Sequence, residues 1–440
     1  MSTSRELISL QVGQCGNQIG WKFWDTLIQE HDLHSFTGLA EASSTFFSIK
    51  DSTTSSKLLK ARAVLVDTEE RVLSETHKRA AFCQSSIKTS FVVVAQSGSG
   101  NNWADGYFEY GPSKGEETIE ALRRQAEDAN SLQGILMFHS VGGGTGSGLG
   151  SWLLEHIPDN FGKIAKLTFS VFPGQSDDVI TSPYNTIFSL SSLAEHSDIS
   201  VVLDNEALTK LVTSDNSPQS RTEKPFDSMN QYVARFISDF LAPMRYPGSL
   251  NVDVGELTTN LVPFPSLSFA APALASMSSS NKGITTVTEL FKAVTKRDKQ
   301  LCSIDLNNRT LLSSALFGRG KPISIYDLNA GAKRLQDSFP LAYWSDEIVK
   351  IGLTSMPPSK TIPASAVALF NSCGVTGVLD SYMKKFDTLF SRKAFASHYE
   401  KWMTFTEMKD KRDAVCDVGA FYNQIEQTPP PTNYRIIPIV

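Results

Sequence analysis

The chain has 440 residues, of which 41% are hydrophobic and 20% charged, with a formal net charge of −5. This length exceeds what one hydrophobic core usually organises, so we expect two or three closely packed units. The acidic balance argues against a nucleic-acid surface, which needs a basic excess. Because no apolar run approaches the roughly 20 residues that span a bilayer, and the first residues lack a signal-peptide core, we expect a cytosolic protein. Its five scattered cysteines predict reduced thiols.

The first element in chain order is a run of strand-forming residues at 6–12, followed by the glycine-rich string GQCGNQIG at 13–20. Apolar residues at helical spacing then predict an amphipathic helix over 19–30. A glycine-rich turn between a strand and a helix leaves backbone N–H groups free at the positive end of the helix dipole. The string therefore predicts a phosphate contact, although the pattern GxxG alone is a weak signal.

Two further apolar strands, at 61–66 and 91–95, each end in polar residues. Asp67 and Glu69 follow the first strand, and carboxylates at the carboxyl end of a parallel strand suit a hydrated Mg²⁺ that bridges phosphates. A helix cap is the alternative for a lone acid at such a place. Asn101 follows the second strand, where an asparagine tolerates unusual backbone angles and can donate to phosphate.

The most informative string is VGGGTGSGLG at 141–150, between an apolar strand at 134–138 and a helix start at 149–157. Neither GxxxxGK[ST] nor GxGxxG fits it. A phosphate loop without lysine must neutralise its anion with amides, a hydroxyl such as Thr145 or Ser147, and a metal ion. A flexible glycine linker is the alternative, but linkers do not lie between an apolar strand and a helix start.

Two such strand–glycine turn–helix units in one sheet predict a parallel, doubly wound α/β domain with its ligand at the carboxyl ends of the strands. Further strands at 165–171 and 200–203 extend this pattern. The second of them precedes Asn205, whose amide can both donate and accept hydrogen bonds.

A long helix at 225–245 carries an apolar stripe typical of a buried helix that bridges two domains. The chain then breaks and presents Asp253 and Glu256 on one side of a starting helix. These carboxylates would repel a triphosphate in their own chain, whereas beside another subunit's phosphate they could orient an attacking water. An acidic helix cap is the alternative reading.

The second half predicts three strands and a helical region. The strands are expected at 319–328, 348–356 and 364–371, and prolines in NLVPFP at 260–265 mark the entry to a second sheet. An amphipathic stretch over 377–402, broken near its middle, predicts helices.

Taken together, these strings resemble the tubulin family and the related bacterial division GTPases. GGGTGSG is the signature of that family, and GQCGNQIG matches its first phosphate loop letter for letter, while DNEAL at 204–208 matches its guanine-reading loop. The resemblance covers nearly the whole chain. It implies a tubulin-like α/β fold with a doubly wound parallel-sheet GTP-binding domain at 1–205, a core helix and intermediate α+β domain at 206–382, and a C-terminal helical region at 383–440.

The resemblance also implies GTP or GDP and Mg²⁺ as ligands. It places Gln14 and Glu69 at the metal, partly through water, Asn205 and Asn230 at the guanine edge, and Phe226 against the base. The nucleotide-binding residues that it implies are Gln14, Cys15, Asn17, Asp67, Glu69, Gly100, Asn101, Ser140, Gly142, Gly143, Gly144, Thr145, Gly146, Ser147, Gly148, Asp178, Asn205, Phe226 and Asn230.

By the same resemblance, Glu256 and Asp253 would be the catalytic residues and would act on the nucleotide of the neighbouring subunit. The chain would then be a GTPase whose site is completed between molecules. The partners implied are other tubulin subunits and centriolar proteins, with neither nucleic acid nor membrane insertion.

Within the family the chain is most similar to the epsilon class. DDVITSPYN at 177–185, a late loop without the string GEGM, and a chain end, RIIPIV, that is not acidic carry this likeness. It implies a cytoskeletal role in centriole or basal body assembly and microtubule organisation. Two alternatives stay open: an alpha-type subunit that forms microtubule lattice, and a GTPase enzyme with a soluble substrate.

Overall fold

The computed structural model describes residues 5–31, 44–50, 58–71, 74, 91–95, 97–174, 179–214, 225–278, 283–344 and 348–429. Asp178 and the chain end 430–440 lie outside these residues. The strands are β1 (Glu6–Val12), β2 (Phe47–Lys50), β3 (Leu58–Ala61), β4 (Ala63–Asp67), β5 (Phe91–Val94), β6 (Leu132–Ser140), β7 (Ala165–Phe172), β8 (Ile199–Asp204), β9 (Phe269–Ser276), β10 (Leu311–Arg319), β11 (Val349–Thr354) and β12 (Ser365–Ser372).

The helices lie between and after these strands. They are α1 (Gly13–His31), α2 (Glu116–Glu127), α3 (Gly150–Phe161), α4 (Ser182–His196), α5 (Asn205–Ser214), α6 (Pro225–Arg245), α7 (Val254–Leu261), α8 (Val287–Val294), α9 (Ile325–Ser338), α10 (Val375–Phe390) and α11 (Phe405–Gln427). In the described part of the chain, no helix combines the length and the apolar character needed to cross a membrane.

Within the described residues, ten strands form one sheet in the order β11-β10-β12-β9-β8-β7-β6-β1-β4-β5. In this spatial order the strands from β9 to β5 are parallel, and Leu10 of β1 pairs with Val64 on one side and Met137 on the other. Because β4 and β6 lie on opposite sides of β1, the start of α1, which follows β1 directly, and the loop after β6 flank the point where the strand order reverses. The predicted doubly wound parallel sheet is therefore confirmed, with its ligand crevice expected at that point.

Both faces of the sheet are covered, and the side chains alternate between two cores. In β6, Ile135 and Met137 belong to the core on one face, whereas Leu136 and Phe138 belong to the core on the other. This is the two-residue period of a strand buried on both sides. The core helix α6 packs on the second face, with Val233 and Phe240 among its buried residues.

Helix α1 begins at Gly13, six residues before the predicted start at 19, so GQCGNQIG is helical rather than a loop. Gly16 explains the difference, because a Cβ there would overlap the carbonyl oxygen of Phe138 in β6. Glycines in this string therefore let the first turns of α1 pack directly on the sheet. The local sequence pattern predicts a turn, but packing against the sheet makes this segment a helix.

Two predictions for the second half are wrong. Residues 319–328 do not form a strand, because β10 ends at Arg319 and Ser324 then caps α9 in a reciprocal capping box with Asp327. No separate second sheet follows NLVPFP either, since β9 pairs with β8 in parallel and with β12 in antiparallel, which joins both halves. The strands predicted at 348–356 and 364–371 are confirmed as β11 and β12, and the division at 205 and 382 stays a prediction.

A buried charge network joins α1, α6 and β10. Arg319 contacts Glu30 at 2.9 Å and Asp239 at 2.8 Å, and Arg245 contacts the second Glu30 oxygen at 2.9 Å. Burial opposes ionisation of Glu30, but the two guanidinium groups outweigh it and lower its pKa to about 2. Since the four charges balance, the network holds the core helix between the two halves without a net buried charge.

We expect Arg319→Gln to reduce the free energy of unfolding by about 3–5 kcal/mol, because it leaves Glu30 and Asp239 buried with one arginine between them. Chemical denaturation measures this loss. The matched control is Arg412→Gln, which breaks the Arg412–Asp387 pair on the surface and should cost about 1 kcal/mol or less. Equal losses in the two variants would contradict the role given to the buried network.

Candidate functional site

A cavity of about 570 Å³ opens at the carboxyl ends of the central strands. Its walls come from the loops that follow β4, β5, β6 and β7, and from the first turns of α1, α5 and α6. This volume lies within the range of small-molecule sites. The predicted nucleotide-binding residues that line it are Gln14, Cys15, Asp67, Glu69, Gly100, Asn101, Ser140, Gly142, Gly143, Gly144, Thr145, Gly146, Asn205, Phe226 and Asn230.

Three predicted residues support the wall instead of lining it. Asn17 is buried, and its amide donates to the carbonyl oxygens of Gly13 at 2.9 Å and Val66 at 3.0 Å. The Ser147 hydroxyl donates to the carbonyl oxygen of Gly143. At Gly148 a Cβ would overlap the carbonyl oxygen of Trp103. These residues therefore fix the positions of the loops, and the structure does not show them in contact with the cavity.

The glycine-rich loop after β6 enters α3 through one turn of π-helix, Thr145–Leu149. Such wide turns are frequent at functional sites, and here the turn presents its amides at the positive end of α3. A Cβ on Gly144 would lie 2.8 Å from the amide nitrogen of Asn102, and one on Gly146 would lie 3.0 Å from that of Ser140. Glycine is thus required where this loop meets its neighbours.

Three buried hydroxyls join the loops that surround this turn. The Thr145 oxygen lies 2.6 Å from that of Thr68 after β4 and 3.0 Å from that of Ser99 after β5. The sequence analysis missed Thr68 and Ser99, although each neighbours a predicted residue. They hold three loops of the cavity in one arrangement.

His139 lies under the glycine-rich loop and is fully buried in β6. Its Nδ1 lies 2.9 Å from the carbonyl oxygen of Gly146, and its Nε2 lies 2.8 Å from the Ser170 hydroxyl. Burial lowers its pKa to about 4, so the ring is neutral at physiological pH. In that state Nδ1 donates to Gly146 and Nε2 accepts from Ser170. The only signal in the sequence was a polar residue inside an apolar strand.

Two of the lining residues, Asp67 and Glu69, carry carboxyl groups. Asp67 is buried, with one oxygen accepting from the Thr68 amide at 2.8 Å and the other without a hydrogen-bond partner. Burial raises its pKa to about 7. Glu69 is exposed, and a Cβ on Gly98 would overlap its carboxylate. A buried, unpaired carboxyl oxygen beside an exposed carboxylate is an oxygen donor set that fits Mg²⁺.

The lining also includes an aromatic ring and two amide side chains. Phe226 is 63% exposed in the cavity wall, although it is a large hydrophobic side chain. Asn205 and Asn230 line the same cavity, together with Leu208 and Val233. An exposed phenyl ring and two amides in one cavity suit a planar heterocycle that offers both donors and acceptors.

Asp253 and Glu256 lie outside the lining of this cavity. Asp253 caps α7, and its side chain accepts from the Glu256 amide at 2.7 Å. The carboxylate of Glu256 is 46% exposed and contacts Lys350 of β11 at 2.9 Å. The structure thus bears out the cap described above for Asp253 and keeps both acids away from their own cavity. A catalytic role for either residue stays a prediction.

We expect His139 to make folding depend on pH, because the folded ring protonates near pH 4 and the unfolded ring near 6.5. The unfolded state then binds the proton first, so stability is fully present above pH 6.5 and falls by about 1.4 kcal/mol per pH unit down to pH 4. The measurement is the free energy of unfolding against pH for the chain and for His139→Gln. The free energy of unfolding of His139→Gln should fall less steeply as the pH is lowered. That of the exposed variant His398→Gln should fall as steeply as that of the unaltered chain. Parallel curves for His139→Gln and the unaltered chain would refute this.

Comparison with known proteins shows which families and proteins the chain is similar to. A model of the Tubulin/FtsZ family GTPase domain matches residues 6–213, and a model of the tubulin C-terminal domain matches residues 262–384. The tubulin epsilon chain of Homo sapiens is 35% identical over 457 residues, which cover 96% of this chain and 95% of that protein. The tubulin epsilon chain of Mus musculus is 33% identical with 98% of each chain covered, and the tubulin beta chain of Trichophyton rubrum is 33% identical with 96% and 95% covered.

These matches run through both halves of the sheet, so they support the tubulin-like α/β fold as a whole. The GTPase domain implies GTP or GDP as the nucleotide, and the family implies other tubulin subunits as partners and a cytoskeletal protein of the cytoplasm. From the matched domains and the full-length similarity, the chain belongs to the tubulin family.

Proposed function

We propose that this chain is an epsilon-type tubulin that acts in centriole or basal body assembly and in microtubule organisation. The observation that carries this proposal is the end-to-end similarity to two proteins named tubulin epsilon chain. The beta chains are nearly as similar, at 31–33% identity. The epsilon-like string at 177–185 adds support for the epsilon class. Centriolar proteins would then be partners beside other tubulins.

In this proposal the cavity binds GTP with its phosphates on the glycine-rich loop and its base against Phe226. Asn205 and Asn230 read the guanine edge. Cys15 contacts the nucleotide as a neutral thiol, because burial raises its pKa to about 12. The amides of 142–146 receive the phosphate oxygens, as expected at a helix N-terminus.

Glu69 and Gln14 would hold Mg²⁺, with the unpaired oxygen of Asp67 close to the same place. The ion would supply positive charge to the phosphates, and Asp67 and Glu69 would orient its water ligands. The described lining residues include neither lysine nor arginine. Positive charge for a triphosphate must therefore come from amide dipoles and a cation.

We further propose that hydrolysis occurs between molecules, with Glu256 and Asp253 acting on the nucleotide of a neighbouring subunit. The support is their place on α7, outside their own cavity and at the protein surface. Phosphoryl transfer needs chiefly positioning and electrostatics, so a carboxylate that orients a water at the subunit contact would suffice.

The nucleotide content and the assembly of the purified chain test the assignment to a class. We expect tightly bound guanine nucleotide, released on denaturation and identified by chromatography, together with no filaments from the chain alone. Filament formation is measured by sedimentation, alone and in mixtures with alpha and beta tubulin. Robust homopolymers would favour the lattice-forming alternative, and fast GTP turnover by isolated monomers would favour a GTPase with a soluble substrate.

Glu256→Ala tests whether one subunit binds the nucleotide while its neighbour supplies the carboxylate for hydrolysis. The variant should keep its own nucleotide, since Glu256 does not line the cavity, while GTP hydrolysis at a subunit contact should fall by about 10²-fold. Phosphate release in the assembling mixture measures this. Glu407→Ala is the matched control, because Glu407 occupies the same third position of α11 after its cap. Loss of bound nucleotide from Glu256→Ala, or unchanged hydrolysis, would count against the assignment.

A further inference from the structure

Asn185 in the first turn of α4 makes four hydrogen bonds to three other parts of the chain. Its side chain is fully buried. The amide nitrogen donates to the carbonyl oxygens of Asn101 at 2.7 Å and Gly142 at 2.9 Å. The amide oxygen accepts from the backbone amide of Trp103 at 2.8 Å and from the Tyr399 hydroxyl at 2.6 Å. Donors and acceptors are all used, so its orientation is fixed.

Two of these partners belong to the cavity. Asn101 and Gly142 line it from separate loops, after β5 and after β6. Asn101 has a left-handed backbone with a φ of 54°, a conformation that asparagine adopts more readily than most residues with a Cβ. Its carbonyl oxygen also accepts from the Thr181 hydroxyl at 3.0 Å. This loop is therefore held from outside, and Asn185 sets its distance from the glycine-rich loop.

Another partner of Asn185, Tyr399, connects this arrangement to the segment 391–403 between α10 and α11. Tyr399 is fully buried, and the Asn102 side chain donates to the carbonyl oxygen of His398 at 2.9 Å. Trp402 donates to Asp105 at 2.7 Å, which adds a contact just beyond the same loop. The loop after β5 is thus fastened on both sides, by α4 and by a segment almost 300 residues further along the chain.

We propose that Asn185 is a positioning residue for nucleotide binding, which fixes the loop after β5 relative to the glycine-rich loop. This inference rests on the proposed GTP site. Without Asn185 the loop that contains Asn101 loses its link to the glycine-rich loop, and the two loops no longer converge on the same phosphate group. Tyr399 assists by holding the amide oxygen, so that the amide nitrogen faces the two carbonyls.

Asn185→Asp is the direct test. It keeps the oxygen that accepts from Trp103 and Tyr399 but replaces the donor to Asn101 and Gly142 with a second oxygen. We expect GTP affinity to fall by about tenfold or more, because both hydrogen bonds that hold the two loops together are lost. GDP affinity should fall less, because the string GNNWA at 100–104, in the loop after β5, resembles the tubulin loop that contacts the terminal phosphate. Equilibrium dialysis with labelled GTP and GDP gives both values.

Asn371→Asp is the matched control. Asn371 is also buried, donates to two carbonyl oxygens, Leu261 and Leu267, and accepts from a tyrosine hydroxyl, Tyr422. It lies in the second half and does not line the cavity. Both variants should lower the melting temperature, but only Asn185→Asp should change the ratio of GTP to GDP affinity. An equal ratio in the two variants would overturn the inference.

If Asn185→Asp does not fold, two milder variants test the positioning role of Asn185. Thr181→Val removes one bond to the Asn101 carbonyl from a half-buried place, and Tyr399→Phe removes one bond to Asn185. Each should lower GTP affinity about threefold, more than it lowers GDP affinity, and unchanged affinities in both would overturn the inference. If the unaltered chain binds no guanine nucleotide, the proposed function fails first, and this is distinguishable because every variant then gives the same result.

Discussion

The structure depends on backbone that approaches backbone without an intervening Cβ. At Gly16 helix α1 touches the sheet, and at Gly148 the glycine-rich loop touches the turn around Trp103, so closely that a Cβ would overlap a carbonyl oxygen in each case. Gly13 adds a φ of 73°, which few other residues adopt. These contacts bring the start of α1 and the loop after β6 to the same point, where the strand order reverses. The cavity exists because the chain can pack this tightly there.

The chemistry of the cavity follows from what those loops leave available. Asp67, Glu69 and Asp227 line it, and its described lining lacks a lysine or arginine. An anion bound there would therefore be stabilised by dipoles of the glycine-rich turn and, in the proposed site, by a cation that the acids would hold, not by a basic side chain. Neutral His139 below the loop agrees with this, because it fixes Gly146 without adding charge.

Local patterns predicted much of the fold. Strand β1 and helix α6 have the predicted bounds, because the hydrophobic periodicity and the residues that end a strand or helix are properties of the local sequence. Other features depend on contacts between distant segments. The early start of α1 needs β6 beside it, and the role of Asn185 needs Tyr399, which lies 214 residues away. Thr68 and His139 were missed for the same reason, whereas the residues of the glycine-rich loop were found because their spacing is itself the signal.

The continuous sheet fixes the position of α7 relative to the nucleotide half. Parallel pairing of β8 with β9 carries the nucleotide half directly into the strands on which α7 packs, and the buried charges of Glu30, Arg245 and Arg319 fix the core helix across the same junction. A rigid body of this kind keeps the surface carboxylate of Glu256 at a set distance from its own cavity. Under the proposed assignment, binding and cleavage of one nucleotide would be separate tasks of two molecules, so hydrolysis would report assembly rather than occupancy.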